Sequence, residues 1–485
     1  MCSADEVIVN DELCFTPAVE LAARIRRREI SPLEVVQSSI ERAGALESRL
    51  HGFITRTDEL ALNAARAAEA TLMQDGPDAL GPLAGLPISI KDNTKTEGVR
   101  TTFGATEYLD HIPDHNAPVA SRVLGAGASL LGKNAGPPFG WLGVTTNDIS
   151  GTTCNPWNLS RTVGGSSGGA GALVAAGVGS FATGSDGGGS IRVPASLCGI
   201  VGLKPSHGRV PRGDESPLFE TVDALGPMAR TVADAALLLS VMAGPIEGEP
   251  YMLPEEGVDY VADLRAGTID GWRVAFSPDM GYGPVDPEVA SIVADAVRHF
   301  GSALRCSVDQ VELDVADPVE FFTRNYPPMI YSWTKSEPAA VALIARYPRL
   351  RDLVEGEAAT LAHDWWDYVG AARERTFRGI SKIFGTHDVL ITPTMPVAAW
   401  PHDDECGPRS IAGLPVTHPN LDFFRFTEPA GHSGHPAITV NCGFTRDGLP
   451  VGLQIIGRQR DDRAVLRAAA AYEATTEWLA RRPSI

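Results

Sequence analysis

Between Gly164 and Pro205 this chain of 485 residues runs GGSSGGAGALVAAGVGSFATGSDGGGSIRVPASLCGIVGLKP. Glycine at that density loses much conformational entropy on folding. A fold keeps it where the backbone takes unusual angles or approaches something closely. Two glycine loops bracket a small-residue segment. The first holds Ser166 and Ser167; the second is Asp186-Gly187-Gly188-Gly189-Ser190, followed by Arg192 and Pro194. The pattern predicts a helix from Ser167 to Val178, a short strand at Phe181–Gly184, and a helix restarting at Arg192 or Val193. Successive backbone N–H groups ahead of Ser190 make a cradle for developing negative charge. A serine hydroxyl beside such donors suggests acyl transfer, which also needs a base.

The rest of the chain frames that stretch. Thr16-Pro17 precedes one helix. Ser31-Pro32-Leu33-Glu34 starts another with a capping box and proline at its first position. Residues 58–73 form a third, so residues 1–75 are helical. Gly85-Leu86-Pro87-Ile88-Ser89-Ile90-Lys91-Asp92-Asn93 reads as a buried strand delivering Lys91 to its end. A helix over 117–127 and a strand over 128–132 follow. Residues 134–163 read as loops and 229–243 as a helix. The stretch 245–385 carries a strand at Trp272–Phe276 and a helix begun by Asp286-Pro287. It also holds the aromatics Tyr326, Tyr331, Trp333, Trp365, Trp366 and Tyr368. Strands return at 388–392, 436–440 and 449–457, and a helix from Arg463 closes the chain. Strands alternating with helices place the fold in the α/β class.

Charge narrows the partners. With 41 Lys and Arg against 60 Asp and Glu, the net charge is −19. Such a surface repels nucleic-acid phosphate and anionic lipid and suits a small neutral or cationic substrate. No run approaches the length of a membrane span. The acidic N-terminus has no signal-peptide core, and the expected location is cytoplasmic. Cys2, Cys14, Cys154, Cys198, Cys306, Cys406 and Cys442 are odd in number and show no CxxC pair, as expected of reduced thiols.

The base has several possible sources. Gly164-Gly165-Ser166-Ser167-Gly168 satisfies G-x-S-x-G, but that elbow needs an apolar strand before it. Here a polar loop, Asn155–Thr162, precedes it. No G-x-x-x-x-G-K-[ST] phosphate loop is present. The close histidine pairs, His432/His435 and His111/His115, read as satisfied or surface residues. Neither comes with a third ligand, so no metal is expected. Lys91 remains, although on spacing alone a surface lysine that snorkels to water fits as well.

The motifs GLPISIKD, GGSSGG and DGGGSIRVP, in that order, with CGIVGLKP, GHPAITVNCG and DGLPVGLQIIGR, closely resemble the amidase signature family. The likeness is dense over 82–240, resumes over 388–480, and is not seen across 245–385. It implies a single domain over 1–485 with a large mixed central β-sheet flanked by helices on both faces. Within it, 1–75 would be a helical part, 82–240 the catalytic core, 245–385 a variable insertion or cap, and 388–480 a return to the core sheet. It also implies roles. Lys91 would be the general base, Ser166 the bridging serine after a cis peptide, and Ser190 the nucleophile. The N–H groups of Gly187, Gly188, Gly189 and Ser190 would form the oxyanion hole. Ser167 would be structural, and Asp186 and Arg192 would hold the turn. Burial disfavours an ammonium and would give Lys91 a usable lone pair, while Asp92, next along the strand, points to the opposite face.

The implied activity is metal-independent, cofactor-free hydrolysis of a small carboxamide. Trp141 and Thr145 are candidate pocket residues, with the 320–370 aromatics beside them. A homodimer is compatible with this reading. Two competitors stand: the glutaminase subunit of a tRNA-dependent amidotransferase, which requires partner chains, and a non-catalytic binding protein on the same scaffold. The segment Gly132-Lys133-Asn134-Ala135-Gly136-Pro137-Pro138-Phe139 departs from the family's usual wording, as does Asn441. The first departure puts the substrate in doubt.

Overall fold

The computed structural model describes residues 11–213, 222–333, 341, 344–345, 351, 354–355, 362–403, 407–416, 418 and 421–485. Eleven strands form one sheet. In chain order they are β1 (Phe53–Arg56), β2 (Pro87–Lys91), β3 (Ser129–Asn134), β4 (Phe181–Asp186), β5 (Val201–Lys204), β6 (Ala224–Ala229), β7 (Arg273–Phe276), β8 (Ser307–Gln310), β9 (Val389–Pro393), β10 (Ala437–Phe444) and β11 (Pro450–Gly457). Across the sheet the order is β1-β3-β2-β4-β6-β5-β10-β11-β9-β7-β8. The β3-β2-β4 and β9-β7-β8 neighbours are parallel and the others antiparallel, so the sheet is mixed.

The strands alternate between two cores, as the period of two requires. Ile88, Ile90, Leu130, Phe181, Val274, Ile438 and Ile455 point into the larger core. It is covered by α1 (Ala18–Arg26) and by helices 232–242, 287–302 and 462–473. On the other face Leu131 meets α2 (Pro32–Leu50) and α3 (Asp58–Gln74). Ala182 and Met228 there meet α4 (Gly168–Ala175) and α5 (Arg192–Cys198). The small residues of α4, every one buried, allow this close helix–sheet contact.

Local signals formed as written. Ser31 Oγ accepts from Leu33 N–H at 3.0 Å, and the Ser31 N–H donates to Glu34 Oε2 at 2.8 Å. Asp286 Oδ1 caps its helix through the Glu288 N–H at 2.9 Å.

Four expectations change. Residues 1–75 are not helical throughout: Phe53–Arg56 is strand β1, paired with β3 at one edge of the sheet. Strand β6 sits mid-sheet between β4 and β5, yet its sequence, ALGPMA, carries none of the β-branched alternation that marks a strand. The predicted helix therefore begins later, at Val232, behind Thr231 as its cap. Residues 134–163 are not loop throughout: 154–155 pairs with 158–162, and 146–147 with 151–152. The 245–385 stretch contributes β7 and β8 to one edge of the sheet. Cys2 and Cys406, and the side chains of Trp333, Trp365 and Trp366, lie outside the described residues. The five described cysteines are free thiols. Among the described residues no helix is long and apolar enough to cross a membrane.

Candidate active site

Strands β2 and β4 are parallel neighbours and end at the same edge of the sheet. Ligand sites of open α/β sheets form at the carboxyl ends of parallel strands. Here that edge brings Lys91, the last residue of β2, against the end of β4 and the Gly164–Gly168 loop. Lys91 Nζ donates to Ser166 Oγ at 2.6 Å and to Ser185 Oγ at 2.9 Å. Asn93 Nδ2 also donates to Ser185 Oγ, at 3.3 Å. Lys91 and Ser166 are 2% and 1% exposed, so the contact lies out of bulk water.

The loop carrying Ser166 has little room. The Gly165–Ser166 peptide is cis. A Cβ on Gly165 would stand 2.8 Å from the Val144 backbone. A Cβ on Gly140 would stand 3.2 Å from Ser166 Oγ and 3.8 Å from Lys91 Nζ, so the 136–140 turn covers the pair directly. Thr145 is buried and holds this loop from behind. Its Oγ1 donates to the Gly164 carbonyl at 2.8 Å and accepts the Gly168 N–H at 3.1 Å. Ser167 bridges to β4: its Oγ donates to the Ser185 carbonyl and accepts the Ser185 N–H, each at 3.3 Å.

Ser190 is half-buried on the second glycine turn, and the Ser167 N–H reaches its carbonyl at 3.1 Å. Ser190 Oγ makes no hydrogen bond to a described residue, so the expected Ser166–Ser190 link is not closed in this structure. The turn is held from its carbonyl side. Thr427 Oγ1 donates to Gly188 O at 2.6 Å, and the Val193 N–H to Gly189 O at 2.7 Å. The N–H groups of Gly187, Gly188, Gly189 and Ser190 donate to no described residue.

Asp186 and Arg192 lock the turn at its base, both fully buried. Asp186 Oδ1 accepts from Arg192 Nη2 at 2.6 Å. Oδ2 accepts from Arg192 Nε at 2.9 Å and from the N–H groups of Ile191 and Arg192 at 3.1 and 3.2 Å. Burial works against charging Asp186, but the field and hydrogen bonds of Arg192 outweigh it and hold the carboxyl below its ordinary value. Arg192 Nη1 continues to Thr427 O and Gln454 Oε1 at 2.6 and 2.7 Å, tying the turn to distant segments.

The carboxylates around Lys91 divide cleanly. Asp92 turns away: its Oδ2 accepts from the Thr102 and Gly104 N–H groups at 3.0 and 3.2 Å. Burial raises its carboxyl, and Lys133 pulls the other way. Asp223 does feel Lys91. Burial raises its carboxyl too, opposed first by Arg212, 3.7 Å away, and then by Lys91.

The Amidase family profile matches residues 34–466. An acylamidase of Rhodococcus erythropolis is 36% identical, over 98% of this chain and 99% of that one. A glutamyl-tRNA(Gln) amidotransferase subunit from Moorella thermoacetica is also 36% identical, over 98% of this chain and 99% of its own length. The crystal structure of a bacterial aryl acylamidase of the amidase signature enzymes superposes with a TM-score of 0.86 at 29% identity, over 96% of this chain and 97% of that one. The chain belongs to the amidase family. It is an amide hydrolase with the amidase signature fold.

Three contributors to this amidase's site escaped the sequence. Ser185 bonds Lys91, Thr427 bonds the Gly188 carbonyl, and Gly140 leaves beside the Ser166 hydroxyl the space that a Cβ would crowd. Ser185 had a signal, adjoining Asp186 at the head of the turn. Thr427 had none, because it arrives from a helix, residues 428–433, distant in sequence. Trp141 is half-buried between an apolar cluster around Val193 and Phe423 and another around Phe321 and Tyr326. His432 and His435 of this amidase are buried and bonded, to Glu428 at 2.6 Å and Ser433 at 2.8 Å.

Proposed function

We propose that this amidase cleaves a small carboxamide through an acyl-enzyme on Ser190, with Ser166 and Lys91 relaying protons. The observation that carries the proposal is the buried 2.6 Å contact between Lys91 Nζ and Ser166 Oγ, beside a turn whose N–H groups are open. A neutral Lys91 keeps one lone pair. It accepts the Ser166 hydrogen while still donating to Ser185. Ser166 in turn takes the Ser190 proton as Ser190 Oγ attacks the amide carbon. The oxygen, now anionic, falls to the donors of Gly187–Ser190. Loss of one such donor costs about 3–4 kcal/mol in other hydrolases. The relay reverses to protonate the leaving nitrogen, the C–N bond breaks, and water releases the carboxylate by the same route. The absent Ser166–Ser190 hydrogen bond fits this sequence, since catalytic contacts often tighten only with substrate bound.

The test is a panel of aryl, alkyl and peptidyl amides, with esters and hydrazides, on the purified chain and on Ser190→Ala, Ser166→Ala and Lys91→Ala. Each variant is expected to lose at least about 10³-fold in turnover, with the double variants no worse than the singles, as for groups that act as a unit. Full activity in Ser190→Ala removes the nucleophile.

A second reading is the glutaminase component of a larger amidotransferase. It draws on the amidotransferase relative, as similar in sequence as the acylamidase. It requires glutamine hydrolysis that depends on partner chains. Robust hydrolysis of simple amides by the chain alone excludes it.

A further inference from the structure

Helices α4 and α5 begin at the serine loops and end together at a cavity of about 220 Å³. Ala175, Cys198 and Gly199 floor it. Phe15, Trp157 and Trp478 supply apolar walls, and Arg230, Arg481 and Arg482 supply every ionisable group except the thiol of Cys198. No Asp or Glu lines it, although acids outnumber bases by 19 in the chain.

The cations there are crowded. The guanidinium groups of Arg482, Arg42 and Arg230 lie 4.4, 4.8 and 5.7 Å from the centre of one ring, Phe15, and Arg481 lies 3.8 Å from that of Phe444. Arg42 has Asp11 as a partner. Arg230 donates to the carbonyls of Val174 and Gly179 and has buried Asp234 as a favourable charge. Arg481 and Arg482 form no ion pair among the described residues. Two buried donors also lack acceptors there: Arg230 Nε, in a residue 8% exposed, and Trp478 Nε1, in one 9% exposed. A buried N–H left unmet costs free energy, and native proteins leave few of them.

Uncompensated cations, unmet donors and aromatic walls together describe a site for an anion with an apolar body. We infer that this cavity binds a small organic carboxylate, its carboxyl taken by Arg481, Arg482 and Trp478 and its hydrocarbon part by Phe15 and Trp157. The guanidinium fork suits a carboxylate in two-point contact. An engineered cavity of about 150 Å³ takes up benzene, so a volume somewhat above that admits a benzoate-sized acid. Such a ligand would sit at the far ends of α4 and α5, about 12 and 10 Å along the helix axes from the serine loops at 1.5 Å per residue. It would not enter the active site.

The experiment is isothermal titration at low ionic strength with sodium benzoate, benzyl alcohol and sodium acetate. The proteins are the wild type, the exposed pair Arg481→Gln/Arg482→Gln, and Trp478→Phe. Benzoate is expected to bind the wild type at least tenfold tighter than either control. The arginine pair should weaken it at least fivefold and Trp478→Phe about threefold, with the thermal midpoint of each variant unchanged in the absence of ligand. The inference is overturned if benzoate does not bind the wild type, if benzyl alcohol binds as well, or if the arginine pair binds benzoate as the wild type does. That last result places the acid elsewhere, the active site included. A variant with a lowered midpoint is replaced by the single Arg482→Lys change, which keeps the charge but not the fork and should still weaken benzoate; an unweakened affinity refutes the fork contact.

Discussion

Arg192→Met strikes the pair that fixes the glycine turn. The substitution leaves Asp186 fully buried, with its two backbone donors but without the guanidinium. It also strips the donor from Thr427 O and Gln454 Oε1. Removing one partner of a buried ion pair costs about 3–5 kcal/mol, because the other charge is stranded. Both side chains are 0% exposed, so solvent does not screen the loss. Asp186→Asn strands the opposite charge and should cost about the same. The double variant strands neither, and it should fall at least about 2 kcal/mol short of the sum of the singles, within the coupling range of contacting residues. The assay is urea unfolding followed by tryptophan fluorescence, with slopes compared so that a changed denatured state is not read as stability. Turnover gives a second readout: a displaced oxyanion donor costs about 10²–10³-fold. A coupling energy under about 0.5 kcal/mol would refute the stranded-charge reasoning, since that is the level of independent sites.

Gly188→Ala places a Cβ against Glu428 Oε2, so the turn must move. We expect turnover to drop at least about tenfold with binding of a substrate analogue nearly kept, measured as a kcat loss exceeding the KM change. Ser31→Ala removes the hydroxyl that accepts from the Leu33 and Glu34 N–H groups, leaving only the backbone half of the capping box, and should cost about 1 kcal/mol in chemical denaturation, with activity unchanged. Burial pushes the Glu473 carboxyl up to about 8, opposed by its hydrogen bond from the Val232 N–H and reinforced by Asp234. An acid whose folded value exceeds its unfolded one, about 4.3, holds its proton longer when folded, so stability is lost as pH rises from there through the folded value. Glu473→Gln should therefore gain melting temperature over the wild type progressively from pH 5 to pH 9, and a constant difference across that range would count against it.

The helix starts were legible because their signals are local. Ser31-Pro32-Leu33-Glu34 states its cap within four residues, and Asp286-Pro287 does so in two. The alternation of Ile88 and Ile90 likewise announced a buried strand. Strand β6 was not legible. ALGPMA becomes a central strand only because β4 and β5 lie on either side to take its hydrogen bonds. Tertiary pairing overrode a weak intrinsic preference. Trp141 and Thr145 show the same limit. The loop that holds both was visible, but not that Thr145 spends its hydroxyl on Gly164 and Gly168.

What the linear order of residues decided was the inventory: a lysine closing an apolar strand, two serine-bearing glycine loops, and an acid and an arginine six positions apart around one of them. Steric freedom at glycine and short-range hydrogen bonding act over a few residues, so they are written there. What packing alone decided was who meets whom. Lys91 and Ser166 touch across 75 positions, and Arg192 reaches Thr427 across 235. Those encounters follow from strand order and from helices docking on a finished sheet, and no local preference encodes a contact whose partner has yet to arrive.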